Sequence, residues 1–200
     1  MHDIRSFDRF APLYEAVMPA ADTSPLQAAL SEAARPVETV LDVGGGPGRA
    51  ALAVDGRRIV VDAAAGMLDR ATRNGLEAVQ GDATRLPIGG EAVDAVLIVD
   101  ALHHFPDAEA TLREARRVCR PGGVVIVREF DPETLRGRIL DLVERLVGFS
   151  STFYDPTTLA TLGSRAGLRV KLLETGFSYT LVGRVKSGSG DSRVDGVVDS

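Results

Sequence analysis

The sequence predicts an α/β domain built on a mainly parallel sheet, and three observations predict it. Apolar runs of strand length alternate with helix-period segments almost from end to end. The first five runs are near-continuous or rich in β-branched residues, as strands covered on both faces are. Hydrophobic content of 44% and charged content of 26% are ordinary for a globular fold, and 200 residues suffice for one sizeable core.

The strand candidates are ETVLDV (38–43), RRIVVD (57–62), LEAVQGD (76–82), VDAVLIVD (93–100) and GVVIVREF (123–130), followed by LRVKLLETG (168–176) and FSYTLVGRV (177–185). Between most of them lie helical segments with legible ends. Ser24 and Pro25 read as N-cap and first helical residue, and Asp155 with Pro156 repeats the device, Gly167 marking the stop. Asp107 caps a helix that runs to Cys119, where Pro121-Gly122-Gly123 is expected to turn the chain out. No helix separates the last two strands, so Gly176 marks a hairpin and the final strand runs antiparallel. Residues 1–36 read as an N-terminal helical cap of two short helices, 37–186 as the main domain, and 187–200 as a flexible Gly, Ser and Asp-rich tail.

Composition narrows the function. A net charge of −5 argues against a nucleic-acid partner, which calls for a basic face. Cys119 is the lone cysteine, which leaves no internal disulfide and no thiolate metal site, and its spacing from Leu112 and Ala115 predicts a buried core thiol. No metal is expected, since His103 and His104 lack further ligands. The N-terminus has no apolar signal region, and no run is long enough to span a membrane, so a cytoplasmic protein is expected.

Four strand candidates carry an acid at the carboxyl end: Asp62, Asp82 and Asp100 close theirs, and Asp42 falls one residue earlier. In an open parallel sheet that rim is where ligands bind. Asp42 leads into VGGGPG, where Gly44, Gly46 and Gly48 alternate in a loop that something sits against. A dinucleotide loop needs a third glycine at 49, where Arg49 stands, and a carboxylate at 42 would repel a pyrophosphate. Asp62 is placed for a ribose diol and Asp82 for an exocyclic amine. The inferred ligand is a ribosyl-adenine with a cationic, amine-bearing arm and no phosphate, which S-adenosylmethionine satisfies.

VLDVGGGPG, VVDAAAGML, GDATRLPI, VDAVLIVDALHHF and EARRVCRPGGVVIV together resemble the class I methyltransferases, most closely the ubiquinone and menaquinone subgroup. The resemblance covers about residues 7–185. It implies a Rossmann-like, doubly wound seven-stranded sheet in the order 3-2-1-4-5-7-6 with strand 7 antiparallel. It also implies that Asp42, Gly44, Gly46 and Gly48 border the methionine arm of S-adenosylmethionine, with Asp100 beside it. Asp62 and the adjoining Ala63 would hold the ribose, Met67 would pack on adenine, and Asp82 with the Ala83 backbone would meet its amine edge. Tyr14, in an N-terminal helix, would face the cofactor. The departure is RAALAVDG, which leaves the helix after the glycine loop about three residues short and widens that side of the pocket.

Methyl transfer is an in-line displacement, and a base is needed only when the acceptor arrives protonated. His103 and His104, just past the fourth strand, are candidate bases or loop-packing residues. Glu129 is a second candidate at the rim, or the partner of an Arg. Phe149, Phe153 and Tyr154 either join the core or line a pocket for a planar or apolar small molecule. Two other functions fit the residues: a non-catalytic nucleoside-binding domain, favoured by the short helix, and a nicotinamide-dependent oxidoreductase, disfavoured by Asp42 and Arg49. The acceptor, the atom methylated and the oligomeric state stay open.

Overall fold

The computed structural model describes residues 24–138 and 151–187. Tyr14, the rest of the first predicted helix, Phe149 and the tail from 188 lie outside the described residues. The elements are α1 (Ser24–Leu30), β1 (Thr39–Val43), α2 (Arg49–Leu52), β2 (Arg57–Asp62), α3 (Ala65–Arg73) and β3 (Glu77–Gln80). They continue with β4 (Val93–Val99), a 3-10 turn (Leu102–His104), α4 (Ala108–Val118), β5 (Cys119–Phe130), α5 (Pro156–Arg165), β6 (Arg169–Glu174) and β7 (Ser178–Arg184).

The seven strands form one sheet in the order β3-β2-β1-β4-β5-β7-β6. β1 to β5 pair in parallel, and β7 lies antiparallel between β5 and β6. The sequence-based order and the reversed last strand therefore hold. Strand alternation divides the core. Leu41, Val125 and Val127 face Leu112 and Ala115 of α4 and Leu159 of α5, while Val40, Leu97 and Ile126 face Leu26 and Ala29 of α1 and Ala50 of α2.

Two predicted caps form as read. Asp107 accepts from Ala110 N at 2.9 Å, and Asp155 accepts from Thr157 N and Thr158 N at 2.9 and 3.0 Å. The segment after α4 differs from expectation. Pro121-Gly122-Gly123 does not separate helix from strand but lies inside β5, which starts at Cys119. It forms a bulge: the pairing with β4 jumps from Val93↔Cys119 to Ala95↔Val124. Gly122, at φ 80°, absorbs the kink and still donates to Val185 O at 3.0 Å. Cys119 is buried as expected, although it opens a strand rather than extending the helix, and burial pushes its thiol up to about 12.

At the opposite rim from the site, Asp94 stitches three segments together. It is 1% exposed and accepts from Glu38 N, Thr39 N and Arg120 Nη1 at 3.0–3.1 Å, with Arg35 Nε also 3.0 Å away. Asp94→Ala strands two backbone N–H groups and two guanidinium groups. Urea denaturation is expected to show a loss of about 2–3 kcal/mol; a loss below about 0.5 kcal/mol, the scale of an ordinary surface change, would contradict this reading.

Candidate functional site

β1, β2 and β4 are parallel neighbours, so their carboxyl ends share one rim. The loop after β1 is shaped by its glycines. Gly44 donates to Val61 O at 2.7 Å, prolonging the β1–β2 ladder, and Gly48 N bonds Gly45 O at 2.8 Å in a tight turn. Gly48 needs both its φ of 84° and its missing side chain, because a Cβ there would collide with Leu76. Gly45, which the alternation of the other three passes over, is equally constrained: its Cβ would run into the Asp42 carboxyl.

That contact places Asp42 beneath the loop. Its Oδ2 accepts from Ala51 N in α2 at 3.2 Å, while Oδ1 has no hydrogen-bond partner among the described residues. Burial, reinforced by Asp62, pushes the Asp42 carboxyl up to about 7. Asp62 closes β2 and joins two loops: Oδ2 accepts from Gly46 N at 2.9 Å and Oδ1 from Ala64 N at 2.8 Å. Met67, 5% exposed, lies beside Ala64 in the core, and its Sδ is the atom nearest a Cβ built at Gly46. The exposed Ala63 accepts from Gln80 through its carbonyl. Asp82 lies two residues beyond β3, exposed, holding Thr84 through N and Oγ1, a pairing that keeps its carboxyl below the usual range. Ala83 is half-buried against the core. Asp100 follows β4 in the left-handed region, at φ 51°. Burial, with Glu129 nearby, pushes its carboxyl up to about 6, and its Oδ1 has no hydrogen-bond partner among the described residues.

A second cluster stands on the other face of the sheet. Glu129 is 1% exposed and accepts from Leu102 N at 2.7 Å and from His103 N at 3.4 Å, and its Oε2 lies 2.7 Å from His103 Nδ1. Its partner is a histidine, not the Arg considered from sequence, because the 3-10 turn carries His103 back over the end of β5. Phe153 stacks on the His103 ring at 4.4 Å and Phe130 meets it edge-on at 6.4 Å. Phe177 packs on Phe130 at 5.1 Å and is partly exposed. His104 lies 4.0 Å from His103, ring to ring, with Nδ1 3.2 Å from Ser151 Oγ. Burial drives its basicity down to about 3, so it stays neutral at physiological pH. Tyr154 is half-buried, and its carbonyl accepts from Tyr179 OH.

Three residues of this site escape sequence reasoning. Phe105 closes over Gly44, Arg49 acts electrostatically on Asp100, and Arg128 lies 4.0 Å from Asp100 Oδ1. The alternation in VIVREF, which sets Arg128 and Glu129 on opposite faces, is the signal that could have found the last. Among the described residues no group of His, Cys, Asp and Glu is placed to hold a metal ion, and no helix is long and apolar enough to cross a membrane.

The rim fits the cationic nucleoside inferred from sequence: two carboxyls raised by burial, each with an oxygen that has no hydrogen-bond partner among the described residues, flank a loop that side chains would fill. Residues 41–127 match the family model described as "Methyltransferase domain". A solved SAM-dependent methyltransferase from Thermotoga maritima superposes with a TM-score of 0.76 at 25% identity, over 90% of this chain and 98% of that one. In fold, and in the domain matched over residues 41–127, the chain is similar to S-adenosylmethionine-dependent methyltransferases.

Part of its sequence is similar to demethylmenaquinone methyltransferases. The demethylmenaquinone methyltransferase of Beutenbergia cavernae is 44% identical over 102 residues, 48% of this chain and 42% of the relative. That of Mycobacterium bovis is 42% identical over 76 residues, 38% of this chain and 32% of the relative. The chain thus spans about a third to two-fifths of the length of these curated relatives.

The raised carboxyls dictate a pH dependence. In the folded chain Asp42 and Asp100 keep protons that an unfolded Asp, at 3.8, has released. Their contribution to stability is full below that value and is lost as pH rises through about 6 and then about 7. Asp42→Asn is expected to flatten the fall in Tm between pH 5 and 8; an unchanged slope would show that Asp42 ionises as freely folded as unfolded.

Proposed function

We propose that this chain transfers a methyl group from S-adenosylmethionine to a small, flat, largely apolar acceptor. The observation that carries the reading is the pair of carboxyls raised by burial, Asp42 and Asp100, each with an oxygen lacking a hydrogen-bond partner among the described residues, beside the glycine loop. When bound, S-adenosylmethionine supplies a methyl group activated by a positively charged sulfur. Asp62, which already ties two loops together, is the residue placed to hold the ribose diol, with Ala63 alongside. Met67 would pack on the adenine, and Asp82 with the Ala83 backbone would meet its amine edge. Asp42 acts through the loop above it, as a negative charge drawn out by the ligand's positive one. Gly44, Gly46 and Gly48 would let the backbone approach the methionine arm, and Asp100 would meet its ammonium. Tyr14 is carried over from the resemblance as the residue that would face the cofactor.

The acceptor rests among Phe130, Phe153 and Phe177, whose ring faces suit a planar apolar body and tolerate a nearby cation. Orienting the acceptor in line with the carbon–sulfur bond supplies on the order of 7–11 kcal/mol of the barrier. Glu129 takes the Nδ1 proton of His103 as a hydrogen bond, which makes Nε2 the atom that accepts a proton from the acceptor's hydroxyl or ring carbon. His104, held neutral, supports the turn. This chemistry involves no metal, no nucleic acid and no membrane span, and fits a cytoplasmic enzyme.

The test is calorimetry followed by transfer. S-adenosylmethionine and S-adenosylhomocysteine are expected to bind at micromolar concentration, and NADH is not. Radiolabelled methyl should reach a reduced, short-chain demethylmenaquinone, the ring that the relatives' names point to, or another compound in a panel of phenols and quinols. His103→Ala should lower kcat by about 10²–10⁴-fold, the usual worth of a general base. Binding without transfer to any member of the panel would favour a non-catalytic nucleoside-binding domain, and no binding at millimolar cofactor would end the proposal.

A further inference from the structure

Along β5, Val125, Val127 and Glu129 face α4 and α5, while Val124 and Ile126 face α1 and α2. Arg128 continues the second set, two residues before the strand ends at Phe130, on the face where Asp42 meets α2. It is nearly buried, at 11% side-chain exposure, and Asp100 beside it is at 12%. A guanidinium offers five N–H donors. Arg128 makes one side-chain hydrogen bond among the described residues, from Nη2 to Ser178 Oγ at 3.0 Å, and its Nε has no partner there.

Asp100 and Arg128 are neighbours by construction, since Asp100 N donates to Arg128 O at 2.9 Å. Yet their charged groups do not close on each other. Arg128 Nη1 stands 4.0 Å from Asp100 Oδ1, beyond hydrogen-bond range, and that oxygen also has no hydrogen-bond partner among the described residues. A residue other than glycine at φ 51° holds the acid in place at a cost in strain. Two nearly buried, opposite charges kept slightly apart, each with an orphaned polar atom, match a ligand that carries an anionic and a cationic group on one carbon.

We propose that Arg128, oriented by Ser178, and Asp100 recognise the α-amino-acid end of the cofactor, Arg128 binding the carboxylate and Asp100 the ammonium. This rests on the methyl-transfer reading for the identity of the ligand, and adds Arg128 and Ser178 as the residues that make the carboxylate a requirement. Ser178 opens β7, so the subsite spans β4, β5 and β7 and depends on the antiparallel insertion of the last strand.

The test uses the wild-type chain first, titrated calorimetrically with S-adenosylhomocysteine, its decarboxylated analogue and 5′-methylthioadenosine. Removing the carboxylate alone is expected to weaken binding by about tenfold or more, the scale of a hydrogen bond to a charged group. Arg128→Met should bring S-adenosylhomocysteine down to the level of the decarboxylated analogue and leave the affinity for 5′-methylthioadenosine within about twofold, the size of a change without a lost contact. Equal affinity of wild type for S-adenosylhomocysteine and its decarboxylated analogue overturns the subsite while leaving the methyl-transfer reading intact. So does a variant that loses all three compounds alike. Failure of all three to bind the wild type overturns both. Should Arg128→Met not fold, the wild-type comparison alone decides.

Discussion

The Asp62 carboxylate is the tie on which the site depends. One oxygen accepts from Gly46 in the loop after β1, and the other from Ala64 at the start of α3, so a single side chain sets the gap between two loops. Parallel pairing supplies the precondition, because only then do β1 and β2 end on the same side. Gly45 and Gly48 supply the rest, since the loop can lie over Asp42 and against Leu76 only without side chains there. Substitution at any of these points moves the loop before it touches a ligand.

Electrostatics then divides the rim into two regions with different tasks. On the α1–α2 face burial outweighs the neighbouring charges, and Asp42 and Asp100 hold protons well above the usual range. On the α4–α5 face Glu129 is satisfied by three donors, with aromatic rings around its histidine. An acid that lacks partners invites a cation. An acid that is fully engaged positions its neighbour. The strand β5 carries both functions because consecutive residues, Arg128 and Glu129, point to opposite faces.

Most of the architecture was legible because it is written in local chemistry. β2 falls at residues 57–62, as its β-branched run and closing Asp62 indicate, and the caps at Asp107 and Asp155 need only their own neighbours. β3 is shorter than predicted, ending at Gln80, since an edge strand with one neighbour loses its ends first. Pro121-Gly122-Gly123 misled because turn residues and bulge residues are the same residues, and only the register with β4 distinguishes them. At the site, sequence named the acids but not what each one meets. That Asp42 lies under Gly45, that Glu129 pairs with His103, and that Arg128 stands beside Asp100 are long-range facts with no local signature.

The central claim is that the rim is built to be neutralised by a positively charged ligand, and proton linkage reads this directly. Calorimetric titration near pH 6.5 in buffers of different ionisation enthalpy gives the number of protons exchanged on binding. Net proton release is expected, larger for S-adenosylmethionine than for S-adenosylhomocysteine because the sulfonium adds a charge. Proton uptake, or binding with no proton exchanged by either compound, would contradict the account.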